Sequence, residues 1–145
     1  MAIFSIVLGL IKVFLNTYTF IEYTNTSKLW FFMIPLYQLV SNMLLGAVGI
    51  ICGLSVLFKK EALLMYHVWG FALLCNAIIT ISLDSDIMAE TIGNIITGVG
   101  VLLYFNLIAL GKFKLNLTAK KWLLGLLVAL LIAVLPVIAF WHWAY

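Results

Sequence analysis

The sequence predicts an all-α protein, a polytopic transmembrane helical bundle of five helices. Three observations predict it. Hydrophobic residues make up 66% of the 145 residues and charged residues 9%, whereas a soluble domain is nearer one quarter charged. Five apolar runs each approach the roughly 20 residues that cross a hydrocarbon core of about 30 Å. Within those runs, small and polar residues recur at helical spacing, so that they share single faces. At this length the chain is one membrane domain over residues 1–145, with no room for a separate soluble module.

The first span covers residues 2–21. Ser5, Gly9, Lys12, Asn16 and Thr19 are separated by four, three, four and three residues, which puts them on one narrow stripe. The flanks are Ile, Val, Leu and Phe. Such a helix turns its stripe to protein and its flanks to lipid. No basic region or A-x-A cleavage signal accompanies the run, so it is expected to be a retained helix and not a signal peptide. The alternative is an N-terminal helix lying in the interface, which leaves four spans.

A polar loop, 22–28, and an aromatic interfacial stretch with Trp30, Phe31 and Phe32 lead to Pro35 near the first turn of the second span, 36–58. There Gln38, Asn42, Gly46, Gly49 and Gly53 repeat the four-and-three spacing. Lys59, Lys60 and Glu61 make a tight turn into the third span, 62–83, where Ala72, Asn76 and Thr80 are four apart. After an acidic loop, 84–91, the fourth span, 92–111, has Gly93, Thr97, Gly100 and Tyr104 on one face with Asn94 beside them. A basic loop, 112–121, precedes the fifth span, 122–143. It carries a small-residue stripe of Gly125, Ala129 and Ala133, and Pro136 is expected to kink it near its far end. Gly46, Gly49, Gly53, Gly125, Ala129 and Ala133 are the expected helix-packing positions, because small residues let backbones approach in lipid.

Charge placement predicts the orientation. With five crossings, Lys59, Lys60, Lys112, Lys114, Lys120 and Lys121 fall on one side, and Lys28 falls on the other with Glu22, Asp84, Asp86 and Glu90. Lysine excess in short loops marks the cytoplasmic side. The N-terminus is therefore expected in the cytoplasm and the C-terminus outside, in a bacterial inner membrane. Trp122 at the inner interface and Trp141, Trp143 and Tyr145 at the outer one agree with this.

Counting depth from the loops places Asn16, Gln38, Asn42, Asn76, Thr80, Asn94 and Thr97 in the outer half of the bilayer, with Lys12 roughly 13 Å below the outer end of its helix at 1.5 Å per residue. His67 and Asn106 fall in the inner half. The outer set either ties helices together, or forms a pocket for a lipid, quinone or small solute, or is a seam for a partner subunit. Lys12 is the sharpest residue, because a charge at this depth costs several kcal/mol unless paired or wetted. With the fourth span starting at residue 92, no Asp or Glu lies inside any span. Lys12 then snorkels, pairs with an acid of another subunit or an anionic headgroup, or is neutral and moves protons.

Other chemistries find little support. All eight basic residues are Lys, so there is no guanidinium cluster for nucleic acid. His67 and His142 sit near opposite membrane faces and cannot share a metal or haem; both are expected to be satisfied structural histidines. Cys52 and Cys75 lie at different depths and are expected to be buried apolar residues. No phosphate loop and no Ser/His/Asp set can be assembled.

Residues 44–62, LLGAVGIICGLSVLFKKEA, resemble the second-to-third-helix region of DoxX-like membrane proteins, where a Gly-rich helix ends in a basic tight turn. The resemblance covers about a seventh of the chain. It implies a four-helix bundle, in some members linked to quinone-coupled sulfur oxidation; the fifth helix departs from that pattern, and no family redox motif is present. The residues together lead to an expected role as an accessory or structural subunit of a larger membrane complex, without catalytic chemistry or an obligate cofactor. The expected partners are membrane lipids and other membrane subunits, and no nucleic acid. A quinone- or lipid-binding subunit of an oxidoreductase and a small oligomeric transporter are the alternatives.

Overall fold

The computed structural model describes residues 1–25, 36–58, 64–83, 89–109 and 118–140. They form five helices, each long and apolar enough to cross a membrane, the fourth by way of its continuation to Leu107: α1 (Ala2–Asn25), α2 (Leu36–Phe58), α3 (Leu64–Leu83), α4 (Ala89–Leu103) and α5 (Ala119–Phe140). The protein is an integral membrane helical bundle. The calls on the connecting loops, on Pro35 and on the C-terminal aromatic residues, including His142, lie outside the described residues.

Several boundaries differ from the sequence expectation, and α5 starts at Ala119, three residues ahead of the expected 122. α1 continues through Glu22 to Asn25, since nothing obliges a helix to stop where the hydrocarbon does. α4 begins at Ala89, so Glu90 lies in its first turn. The positive end of the helix dipole favours a carboxylate there. α4 then widens into a π-helical stretch over Tyr104–Ala109. The Asn106 amide donates to the carbonyl of Leu102 at 2.8 Å. In an α-helix that carbonyl would receive the main-chain N–H of Asn106, so the side chain competes with the α ladder where it gives way.

α2 and α3 are the centre of the bundle. α1 packs on α2, α4 on α3, and α5 lies across α3 and α2. Trp69 of α3 is fully buried; its indole lies over Gly49 and donates to the carbonyl of Leu45 at 2.9 Å. Close approach at the outer pairs is set by glycine. A Cβ on Gly9 would meet the carbonyl oxygen of Gly46 at 2.5 Å, and one on Gly98 would meet that of Gly70 at 3.0 Å. Gly46, Gly49, Gly53, Gly125, Ala129 and Ala133 are all buried against neighbouring helices. The outward faces are apolar, with Ile3, Phe14, Leu107 and Ile138 each more than 70% exposed. α5 runs through Pro136 to Phe140.

The ends of the helices alternate. Ser5 near the start of α1 hydrogen-bonds Tyr66 near the start of α3 at 2.9 Å, and His67 meets Trp122 at the start of α5. The opposite end gathers the second half of α1, the start of α2, the end of α3 and the start of α4, and most of the polar side chains are found there.

Candidate functional site: a closed ring of amides and charges

Four helices contribute to one hydrogen-bonded cluster. Lys12 of α1 donates from Nζ to Asn94 Oδ1 of α4 at 2.5 Å. Asn94 Nδ2 donates to Asn42 Oδ1 of α2 and to Asn76 Oδ1 of α3, both at 3.0 Å. Asn42 Nδ2 donates to Glu90 Oε2 at 2.5 Å. Asn16 Nδ2 donates to Glu90 Oε1 at 3.2 Å and to the carbonyl of Lys12 at 2.9 Å. The circuit Lys12, Asn94, Asn42, Glu90, Asn16 returns to Lys12, and Asn76 extends it by donating to Ser41 Oγ at 2.6 Å.

The direction of the bonds has a chemical reason. An ammonium only donates and a carboxylate only accepts, whereas a primary amide does both. Lys12 therefore takes the carbonyl of Asn94, whose N–H groups turn to the next carbonyl, and the last amide turns its N–H to Glu90. Two amides stand head to tail between a cation and an anion, so each bond polarises the next. Asn42, Asn76 and Asn94 are at most 1% exposed; Lys12 and Glu90 are half-buried. In low dielectric, unmade bonds here would be costly.

This overturns the expectation that Lys12 lacks an acid within the spans of its own chain. Glu90 lies on α4, one helical turn before Asn94, and interacts electrostatically with Lys12. The sequence boundary at residue 92 excluded it. A carboxylate in the first turn and an asparagine four residues on, sharing one face, were the available signal.

Of the expected outer set, Lys12, Asn16, Asn42, Asn76 and Asn94 come together. Gln38 and Thr80 are buried, but Gln38 Oε1 and Thr80 Oγ1 have no partner among the described residues. Thr97 lies apart, half-buried in a groove between α1 and α4. Thr19 bonds the carbonyl of Leu15 within its own helix. Ser41 and Ser5, which tie α2 to α3 and α1 to α3, were not singled out for that role.

Two further expectations change. The core face of α4 is Asn94, Gly98, Val101 and Phe105, and on the neighbouring face Thr97, Gly100 and Tyr104 line the α1–α4 groove instead, with Gly93 one turn beyond them. That groove has a volume of about 340 Å³. His67 is buried as expected but not satisfied: neither ring nitrogen has a hydrogen-bond partner among the described residues. Cys52 is buried, Cys75 half-buried, and both are free thiols.

No group of three metal-ligating side chains occurs among the described residues. No family model matches the chain, and neither a curated relative nor a solved structure matches it. The DoxX-like resemblance of residues 44–62 thus gains no support from them.

Proposed function

We propose that the protein is an accessory subunit of a larger membrane complex, without catalytic chemistry of its own, and that a helix of another subunit docks in the groove between α1 and α4. One observation carries this reading. Of the nine described glycines, seven have a neighbouring atom within 3.0 Å of where a Cβ would stand, whereas Gly93 and Gly100 have nothing within 4 Å. In a membrane helix, small residues serve close helix approach. Seven of these positions find their neighbour within the chain. The other two are seven residues apart on one face of α4, and Gly100 lines the groove with Phe4, Ile96, Thr97 and Tyr104. A helix from outside supplies what they lack. The internal pairing of Lys12 removes the need for a partner's acid, so the reading rests on the glycine face and not on that charge.

Purification in a mild detergent, with and without Gly93→Leu and Gly100→Leu, tests this. The expected result is a stoichiometric partner chain that both variants lose while the thermal stability of the protein itself is kept. A lone monodisperse particle, self-association only, or a complex indifferent to both variants would overturn it. The lysine asymmetry supports a cytoplasmic N-terminus in a bacterial inner membrane. Impermeant thiol labelling of Lys120→Cys and Glu22→Cys in intact cells checks it, since only Glu22→Cys is expected to react.

A further inference from the structure

A second groove, between α3 and α5, carries unused chemistry at the other end of the bundle. Its volume is about 330 Å³, and its walls include Leu64, Val68, Leu124 and Val128, with His67 and Lys121 among its lining residues. His67 is 1% exposed and is held by aromatic rings. Its centroid is 4.7 Å from Phe71, 5.6 Å from Phe105 and 4.2 Å from Trp122. The main chain of Trp122 approaches the ring without hydrogen-bond geometry. Gly125 leaves the ring its room, because a Cβ there would lie 2.9 Å from Cδ2 and 3.5 Å from Nε2. The Nε2 edge therefore faces α5 at a groove residue. A buried imidazole always carries a donor or acceptor to satisfy, and this one belongs to the wall of the groove.

We propose that the α3–α5 groove holds an anionic phospholipid, with its phosphate at Lys121, an ester carbonyl accepting from His67, and an acyl chain along Val68 and Val128. Charge and depth select this occupant. Lys121 and its neighbour Lys120 are exposed at the start of α5, where a lysine reaches headgroup level. Gly125, beside the His67 ring, is four residues deeper, about 6 Å along the helix. A phospholipid has the same order of groups along its length: an anion, a carbonyl acceptor a few ångströms below, then hydrocarbon. A quinone offers the acceptor and the tail but nothing for a cation.

Native mass spectrometry and thermal shift in neutral detergent, with dioleoyl phosphatidylglycerol, dioleoyl phosphatidylcholine, decylubiquinone and inorganic phosphate as probes, test the assignment. Phosphatidylglycerol is expected to bind and raise the melting temperature, whereas phosphatidylcholine binds more weakly by roughly fivefold or more, the effect of one lysine near an anionic headgroup. Inorganic phosphate is expected neither to stabilise nor to compete, because it lacks the chain. Lys121→Gln should remove most of the preference for phosphatidylglycerol, and Val128→Trp, which fills an exposed part of the groove, should weaken binding of that lipid. His67→Phe keeps an aromatic ring among its aromatic neighbours and removes both nitrogens, so the apo protein should stay folded while the lipid-dependent shift falls. Equal binding of the two phospholipids, tighter binding of decylubiquinone, competition by phosphate alone, or indifference to both Lys121→Gln and Val128→Trp would overturn it. The site uses a different pair of helices from the α1–α4 groove, so either proposal can fail without the other.

Discussion

Lys12 and Glu90 stand at the two ends of a relay of two amides, Asn94 and Asn42. The charges are thus coupled through oriented dipoles, and Asn16 closes the return path from Glu90 to the Lys12 main chain. Each member depends on the polarity of the next.

Removing both charges should therefore cost less than the two single removals added together. Lys12→Met leaves Glu90 without its cation, and Glu90→Gln leaves Lys12 without its anion; each should destabilise by about 1–3 kcal/mol. The double variant should cost less than the sum, with a coupling of about 0.5–3 kcal/mol. Reversible unfolding in mixed micelles measures all three. Simple additivity would show that the relay does not join the two groups.

Asn94 is the branch point, with one bond accepted and two donated. Asn94→Leu should cost about 2 kcal/mol, from three bonds at roughly 0.6 kcal/mol each. Asn94→Asp should not restore it, because a carboxylate cannot donate to Asn42 and Asn76. Thr97→Val, outside the cluster, is the control and should leave the unfolding midpoint in place.

Glycine substitutions should divide by position. In Gly46→Ala the new methyl would lie 2.8 Å from the Gly9 carbonyl oxygen. That atom is main chain and cannot step aside alone, so a loss of about 1–3 kcal/mol is expected. Gly93→Ala meets open space, and better helix propensity should stabilise the isolated protein by up to about 1 kcal/mol. A Gly46→Ala variant as stable as the parent would contradict the close α1–α2 packing.

The five helices were legible because length and apolarity alone define a span, and α2 matches its expected limits, 36–58, at both ends. The shared depth of Asn16, Asn42, Asn76 and Asn94 was also legible, since helical rise converts sequence distance into depth. Glu90 was not, because hydropathy ends a span where polarity begins, although helices welcome an acid in their first turn. The idle nitrogens of His67 were beyond reach for another reason: whether an imidazole finds a partner depends on α4 and α5, distant in sequence. Likewise nothing in the spacing of Gly93 and Gly100 distinguishes them from Gly46 and Gly53; only the neighbours do.

The bond from Lys12 to Asn94 spans 82 residues, and this gives the chain a timetable. Ribosomes add about 5–20 residues per second, so α4 emerges several seconds after α1. Throughout that interval the leading helix carries its lysine without the asparagine and the glutamate that later receive it. Lateral release of α1 into lipid is thus least favourable early. Retention beside the insertion machinery until the fourth helix is made would be the natural course of biogenesis.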